Sequence, residues 1–137
     1  MKFKIYLSGP LFSQAEIQWS RKIKIFLESN LGDRIEVHWP HEFASSSAQN
    51  TFDSNLLALN ECDLMVALLD GPQVDDGTAW EMGYFFAKGG KIIGLRTDFR
   101  KAGETKESTI NLMVEGSCLS ILSSPEMLLS NLKRLTV

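Results

Sequence analysis

Short apolar runs alternate with helical stretches along this chain, and that alternation constrains the fold more than any other feature. The run at 64–69, Leu-Met-Val-Ala-Leu-Leu, contains no polar residue and predicts a buried strand. Strands that alternate with helices form a parallel sheet with helices packed on both faces. The pattern therefore predicts a three-layer α/β domain.

The same pattern gives the expected element boundaries. Strands are predicted at 3–7, 35–39, 64–69, 91–95 and 119–122. Helices are predicted at 14–31, 52–60, 78–88, 109–114 and 125–135. Residues 41–52 are rich in Ser, Ala and Asn and predict a loop. We find no internal repeat and no linker, so residues 1–137 are expected to form a single domain.

Composition excludes several classes of function. The net charge is −3 and no basic stripe occurs, which disfavours a nucleic acid polymer or an anionic membrane as partner. The apolar runs are too short for a membrane span. The two cysteines form no CxxC or Cys/His cluster, so we expect a reduced cytoplasmic protein with no thiolate metal site. A strand begins almost at once, and no signal peptide is expected.

Carboxylates are concentrated where the strand at 64–69 ends. Asp70, Asp75 and Asp76 lie in a short loop, and Glu81 follows on the first turn of the predicted helix. In open α/β sheets, ligands bind at the carboxyl ends of the strands. This loop is therefore the candidate functional site.

Three segments of the chain resemble the nucleoside 2-deoxyribosyltransferase family. They are Tyr-Leu-Ser-Gly-Pro-Leu-Phe at 6–12, Val-Asp-Asp-Gly-Thr-Ala-Trp-Glu-Met-Gly-Tyr at 74–84, and Ile-Gly-Leu-Arg-Thr-Asp-Phe-Arg at 93–100. Ile-Asn-Leu-Met at 110–113 is a weaker match. The resemblance implies a flavodoxin-like, five-stranded parallel sheet of order 2-1-3-4-5. It also implies exchange of the base on 2-deoxyribose without metal or organic cofactor, at sites completed across a subunit interface.

Glu81 matches the family's catalytic Glu, which implies a nucleophile that attacks the anomeric carbon. Cleavage of an N-glycosidic bond builds positive charge on that carbon, and a carboxylate can trap it as a covalent sugar intermediate. The alternative is a capping box, because Thr78-x-x-Glu81 has that spacing. Tyr6, at the end of the first strand, is expected to orient Glu81 or else to pack in the core.

Other acids in the loop have more than one interpretation. The resemblance implies that Asp75 contacts the base and helps to protonate it, although adjacent acids in a loop are often simply solvated. Asp76 is an alternative for this role, or it caps the helix. Asp70 is expected to close the strand-end turn or to contact ligand. Gly77, in the same matching segment, is implied to lie against substrate.

The first strand is followed by Ser8, Gly9 and Pro10, which resemble the family's sugar-side loop. Glycine lets the backbone approach a ligand closely, but an ordinary turn explains the same residues. The residues after Pro10 are apolar and include no cation. A 5′-phosphate needs donors or cations, so the sequence favours unphosphorylated nucleosides.

Two asparagines complete the candidate site. Many relatives in the family carry Asp where this chain has Asn55, which can bond a sugar hydroxyl but brings no charge. Asn111 resembles a residue that relatives donate to a neighbouring subunit's site, and its alternative is a helix cap. Trp39, Phe43 and Trp80 could stack on a base, with core packing as the default. His38 and His41 are not spaced for metal binding and are expected to be core or surface residues.

The expected function is transfer of 2-deoxyribose between nucleobases, through a covalent intermediate on Glu81. The expected partners are a 2′-deoxynucleoside, a free nucleobase and a second copy of the chain, in at least a dimer. The first alternative is hydrolysis of a deoxynucleoside or deoxynucleotide N-glycosidic bond on the same fold. The second is a nucleotide-sensing module without catalysis.

Overall fold

A computed structural model describes residues 1–136 and confirms the predicted parallel sheet. Its strands are β1 (Phe3–Ser8), β2 (Ile35–His38), β3 (Leu64–Leu68), β4 (Lys91–Leu95) and β5 (Ser120–Leu122). Its helices are α1 (Gln14–Leu31), α2 (Ala48–Glu61), α3 (Asp76–Ala87), α4 (Leu112–Gly116) and α5 (Pro125–Leu135). All pairings are parallel, and the strand order is the predicted β2-β1-β3-β4-β5.

The apolar strand β3 occupies the centre of the sheet, with every residue buried. Successive side chains of a strand point to opposite faces, so β3 supplies both halves of the core. Val66 packs with residues of α1 and α5, such as Leu27 and Leu132. Met65 packs on the other face with residues of α2 and α3, such as Phe85. Continuous hydrophobicity is the expected pattern for a strand covered on both sides.

Helix α2 begins earlier than the sequence pattern indicates. The prediction of a loop over 41–52 is wrong for its second half, because α2 starts at Ala48. Ser47 is the reason, since its side chain accepts a hydrogen bond from the backbone N–H of Asn50 at 3.2 Å. Pro40–Phe43 forms a single 3-10 turn before it.

Capping residues also move the starts of α3 and α4. Helix α3 begins at Asp76, two residues before the predicted start, because Asp75 accepts from the backbone N–H of Thr78 at 2.9 Å. Helix α4 begins at Leu112, three residues after the predicted start, because Asn111 accepts from Met113 N–H at 2.9 Å. An N-cap has non-helical backbone angles, so it fixes where a helix can begin.

Strand order reverses between β1 and β3, and this reversal positions the candidate site. The connection after β1 leads to α1 on one face, whereas the connection after β3 leads to α3 on the other. A crevice opens where two such connections diverge, at the carboxyl ends of the strands. Among residues 1–136, no helix is both long and apolar enough to cross a membrane.

Two glycines, one within α3 and one after its end, should respond oppositely to the same substitution. A Cβ on Gly90 would overlap the Phe85 ring and lie 2.7 Å from the Phe85 carbonyl oxygen, whereas a Cβ on Gly83 meets no atom within 4 Å. We expect Gly90→Ala to lower the free energy of unfolding by about 1–3 kcal/mol. Gly83→Ala should raise it by about 1 kcal/mol, because alanine favours helix. Urea denaturation measures both, and equal effects would contradict this packing.

Candidate active site

Glu81 lies on the second turn of α3 and is held by two hydroxyl groups from β1. The hydroxyl of Ser8 donates to Oε1 at 2.6 Å, and that of Tyr6 donates to Oε2. Tyr6 and Ser8 are two positions apart on a strand, so both side chains face α3. The capping-box alternative for Glu81 is wrong, because Asp75 caps α3 and the Glu81 oxygens accept from β1.

Burial and hydrogen bonding act in opposite directions on the Glu81 carboxylate. Desolvation raises its pKa above the usual range, and the nearby charge of Asp75 adds to this effect. The hydrogen bonds from Ser8 and Tyr6 lower the pKa, but less than burial raises it. Tyr6 is fully buried, and burial together with Glu81 raises its own pKa far above the usual value. Tyr6 therefore stays protonated and remains a donor to Glu81.

A cavity of about 470 Å³ lies beside Glu81, between α2 and α3. Its size is in the range of small-molecule sites. The lining residues come from these two helices: Phe52, Asn55, Leu56, Leu59, Asp76, Gly77, Trp80 and Glu81. The rings of Phe52 and Trp80 lie 5.9 Å apart, edge to face, and both are about half exposed. These rings give the cavity an aromatic wall on which a flat ligand can stack.

The two acids at the start of α3 occupy different environments. Asp75 accepts from the backbone N–H and the hydroxyl of Thr78, at 2.9 Å and 3.0 Å. Asp76 is not the cap; its carboxylate accepts from the N–H of Gly77 at 2.7 Å and lines the cavity. Asp76 and Glu81 thus line the cavity, whereas Asp75 is not among its lining residues and acts on Glu81 through its charge.

Asp70 ties the end of β3 to the segment that follows β4. Its carboxylate accepts from the N–H and hydroxyl of Thr97, at 2.6 Å and 2.5 Å, and from the N–H of Asp98 at 3.0 Å. Arg96 is buried and donates to the carbonyl oxygens of Leu69 and Arg100. These contacts fix the edge of the sheet next to the acidic loop.

The predicted sugar-side loop divides into residues with different surroundings. Ser8 is buried against Glu81. Gly9 packs on Leu68, where an added Cβ would lie 3.0 Å from the Leu68 Cβ. Pro10 lines a separate cavity of about 360 Å³ on the α1 side of the sheet. Only Ser8 of these three is brought to Glu81.

The two predicted asparagines lie on different sides of α3. Asn55 lines the Glu81 cavity. Asn111 caps α4 and donates from Nδ2 to Glu104 at 3.0 Å. It lines a groove on another face of α3, together with Phe86 and Leu112. In the described chain, Asn111 therefore does not contact the cavity of its own Glu81.

His38 contacts Tyr6 from the neighbouring strand β2, and sequence reasoning missed this contact. Its ring stacks on Tyr6, with ring centroids 5.3 Å apart, and on Phe43, at 4.4 Å. Burial lowers the pKa of His38, which favours the neutral imidazole. The register of the two strands could have indicated this contact, because His38 of β2 pairs with Tyr6 of β1. Trp39, by contrast, is buried in the core as expected and donates to the hydroxyl of Ser20.

No group of three His, Cys, Asp or Glu side chains within residues 1–136 is placed to hold a metal ion. The two cysteines are partly buried, and desolvation raises the thiol pKa to about 12 for Cys62 and to about 11 for Cys118. A thiol with so high a pKa is a poor nucleophile at neutral pH. The polar side chains that the described chain presents to the cavity include Asn55, Asp76 and Glu81.

Solved structures share this fold over nearly the whole chain. A conserved protein from Enterococcus faecalis V583 is 30% identical, with 98% of this chain and 99% of that chain covered and a TM-score of 0.85. A 2-deoxyribosyltransferase from Leishmania mexicana is 22% identical, with 98% of each chain covered and a TM-score of 0.78. The CMP N-glycosidase BcmB from Clostridium botulinum is 23% identical, with 96% and 98% covered and a TM-score of 0.61.

The sequence pattern of a single family accounts for most of the chain. The pattern of the nucleoside 2-deoxyribosyltransferases matches residues 5–113. The matched range includes Tyr6, Ser8 and Glu81, as well as the residues that line the cavity. The chain belongs to the nucleoside 2-deoxyribosyltransferase family.

Proposed function

We propose that the protein transfers 2-deoxyribose from a 2′-deoxynucleoside to a free nucleobase. Family membership supports deoxyribosyltransferase or related N-glycosidase activity. The observation that carries the finer proposal is the Glu81 carboxylate, which is held by Tyr6 and Ser8 beside a cavity with an aromatic wall. A fixed carboxylate next to a stacking surface suits attack on the anomeric carbon of a bound nucleoside.

In the first step, an oxygen of Glu81 attacks C1′ of the deoxynucleoside. The C1′–O bond forms while the C1′–N bond breaks, and the base leaves with the electron pair of that bond. The leaving base takes up one proton, which reaches it by way of a carboxyl group at the start of α3. Asp76 is the better placed donor because it lines the cavity, whereas Asp75 is bonded to Thr78. Asp75 then has an indirect role, because it caps the start of α3 and its charge raises the pKa of Glu81.

In the second step, a nitrogen of the incoming base attacks C1′ from the side that the first base left. The bond to Glu81 breaks, the carboxylate accepts its electrons, and the incoming base loses a proton to the acid used in the first step. Two displacements at C1′ return the original stereochemistry, as in retaining glycosidases. The cycle restores the free Glu81 carboxylate, and the hydroxyls of Tyr6 and Ser8 donate to it as they did at the start.

Hydrolysis of the same bond is the second candidate function. It is favoured by the shared fold with a CMP N-glycosidase. A nucleotide substrate requires groups that bind its phosphate, usually Arg, Lys or clustered backbone donors. The described residues that line the Glu81 cavity include no Lys or Arg. This lining supports an unphosphorylated nucleoside as substrate.

We further propose that the protein acts as a homo-oligomer in which Asn111 serves a neighbouring chain. Asn111 lies beside an apolar groove that carries the exposed side chains of Phe86, Leu112 and Met113. Exposed apolar patches of this kind are typical of protein interfaces. Because Asn111 does not line the cavity of its own chain, a role at the sugar requires a second copy.

Glu81→Ala should abolish base exchange, with a fall in rate of about a thousandfold or more. The assay incubates deoxyinosine with free adenine and follows deoxyadenosine by chromatography. Circular dichroism should show an unchanged fold. Glu61→Ala, at an exposed position of α2, is the matched control and should keep full activity. Transfer retained by the Glu81 variant would remove Glu81 from the mechanism.

The same incubation without adenine separates transfer from hydrolysis. A transferase should leave deoxyinosine largely intact when no acceptor base is present, since the sugar intermediate returns to hypoxanthine. A hydrolase should release free deoxyribose at a rate that adenine does not raise. Deoxyribose release alone, with no deoxyadenosine in the complete mixture, would establish the hydrolase alternative.

Tyr6→Phe should move the acidic limb of the pH–rate profile to higher pH. Glu81 must be ionised to attack, and the Tyr6 hydroxyl lowers the pKa of Glu81. Loss of that hydroxyl therefore raises the pKa and requires a higher pH for the same ionised fraction. Tyr84→Phe removes a hydroxyl that donates to Asn60 and serves as the control. An acidic limb at the same pH in wild type and Tyr6→Phe would contradict the proposed role.

Glu81→Gln should increase thermal stability at neutral pH. Burial raises the pKa of Glu81 in the folded chain above that of an exposed glutamate, so the folded state binds more protons than the unfolded state between the two pKa values. The free energy of unfolding of the wild type therefore falls as pH rises through that window. Glutamine lacks this term, so the variant's advantage in melting temperature should appear above the window and vanish below it. Glu61→Gln, the same change at an exposed position of α2, is the control.

A further inference from the structure

Three aromatic rings form a stack that begins at the protein surface and ends at the donor of Glu81. The rings of Tyr6 and His38 are stacked, with centroids 5.3 Å apart and an angle of 19° between the ring planes. Phe43 stacks on His38 in turn, at 4.4 Å and 10°. Phe43 is half exposed, whereas Tyr6 is fully buried. The proposed reaction uses the Tyr6 hydroxyl and gives the other two rings no role.

The stack follows from the pairing of the strands. Tyr6 of β1 pairs with His38 of β2 on one side and with Met65 of β3 on the other. Paired residues of neighbouring strands direct their side chains to the same face of the sheet. The Tyr6 ring therefore has a neighbour on each side along the sheet. His38 is the flat and rigid one, because methionine is flexible and adapts its shape to its surroundings.

We propose that His38 is a positioning residue, whose ring holds the Tyr6 phenol in the place from which its hydroxyl donates to Glu81. This inference rests on the proposed function, because the placement of that hydroxyl affects the rate only if Glu81 is the nucleophile. The described residues that line the Glu81 cavity do not include His38. His38 therefore acts through Tyr6 and does not contact the substrate.

The bond from Tyr6 to Glu81 is sensitive to the position of the ring. A hydrogen bond weakens steeply when its donor is misaligned. The hydroxyl lies at the far end of the Tyr6 ring, so a small rotation or slide of the ring moves it away from Oε2 of Glu81. A stacked aromatic pair favours one placement of the two rings by a factor of about two to ten. The His38 ring thus opposes the motion that would weaken the bond.

The His38 ring acts by its shape more than by its charge. Burial lowers the pKa of His38, so the imidazole is neutral at neutral pH. The carboxylates of Glu36 and Glu42 raise this pKa, but less than burial lowers it. A neutral flat ring is a property that phenylalanine shares, and this gives a test of the proposal.

His38→Ala removes the ring and should lower kcat for base exchange by about two- to tenfold, with KM unchanged. The acidic limb of the pH–rate profile should move to higher pH, since a weaker bond from Tyr6 raises the pKa of Glu81. Water that enters the vacated space would solvate Glu81 and move the limb the other way. His38→Phe keeps a flat ring against Tyr6 and should retain the wild-type kcat and pH profile.

The two variants separate the shape of the ring from its chemistry. Equal displacement of the acidic limb in both would overturn the proposal, because both lack the imidazole. An acidic limb that moves in neither variant would overturn it as well. If His38→Ala does not fold by circular dichroism, His38→Leu fills the same space without a flat ring and replaces it in the comparison. His41→Ala is the matched control and should keep the wild-type profile, since His41 is exposed and its ring lies against Trp39.

A double-mutant cycle tests whether His38 acts through the Tyr6 hydroxyl. Tyr6→Phe lacks that hydroxyl, so the further change His38→Ala should leave kcat and the acidic limb as they are in Tyr6→Phe alone. Additive effects of the two changes would show that His38 acts on the rate by another route, and would overturn the proposal.

Titration of Glu81 distinguishes failure of this inference from failure of the proposed function. NMR of the isotope-labelled Glu81 carboxyl group, assigned with Glu81→Gln, measures its pKa without turnover. A higher pKa in His38→Ala than in the wild type, with no base exchange by the wild type, would support the role of His38 and overturn the proposed function. Base exchange by the wild type, with the same Glu81 pKa in both proteins, would do the reverse.

Discussion

The candidate site depends on one interaction, the pair of hydrogen bonds from Tyr6 and Ser8 to Glu81. These bonds join residues 75 and 73 positions apart, and they bridge the sheet and helix α3. A half-buried carboxylate without donors would take up a proton, because burial penalises its charge. The two hydroxyls oppose that penalty and fix both oxygens, which leaves a positioned carboxylate beside the cavity.

The parallel sheet makes this interaction possible. In β1, alternate residues face opposite sides, so Tyr6 and Ser8 point at α3 while Ile5 and Leu7 pack in the core below α1. Because the strand order reverses, the connection after β3 crosses the face of the sheet towards which Tyr6 and Ser8 point. Asp75 then sets the first turn of α3, and that start decides which residues of the helix face β1. The connection from β3 to α3 therefore determines both the topology of the sheet and the position of Glu81 in the site.

The sequence predicted the sheet well because apolar runs and helical spacing are local patterns, and β3 is apolar on both faces. It predicted the starts of helices less well, since residues near Ser47 and Asp75 have a similar tendency to cap a helix. The family resemblance led to Tyr6 and Glu81. The contact of His38 with Tyr6 was missed because it comes from strand register and is accompanied by stacking on Phe43. Neither of those contacts corresponds to a periodic pattern or a motif in the sequence.

The Glu81 cluster alone does not distinguish transfer from hydrolysis, because both reactions begin with the same bond cleavage. The outcome depends on whether water or a base reaches C1′ next. In this chain the cavity beside Glu81 has an apolar wall that includes Phe52, Leu56 and Trp80, which offer stacking surface and no hydrogen-bond acceptor. Such a wall retains a flat base and gives water little to bind. The proposal of transfer therefore depends on the walls supplied by α2 and α3 more than on the carboxylate itself.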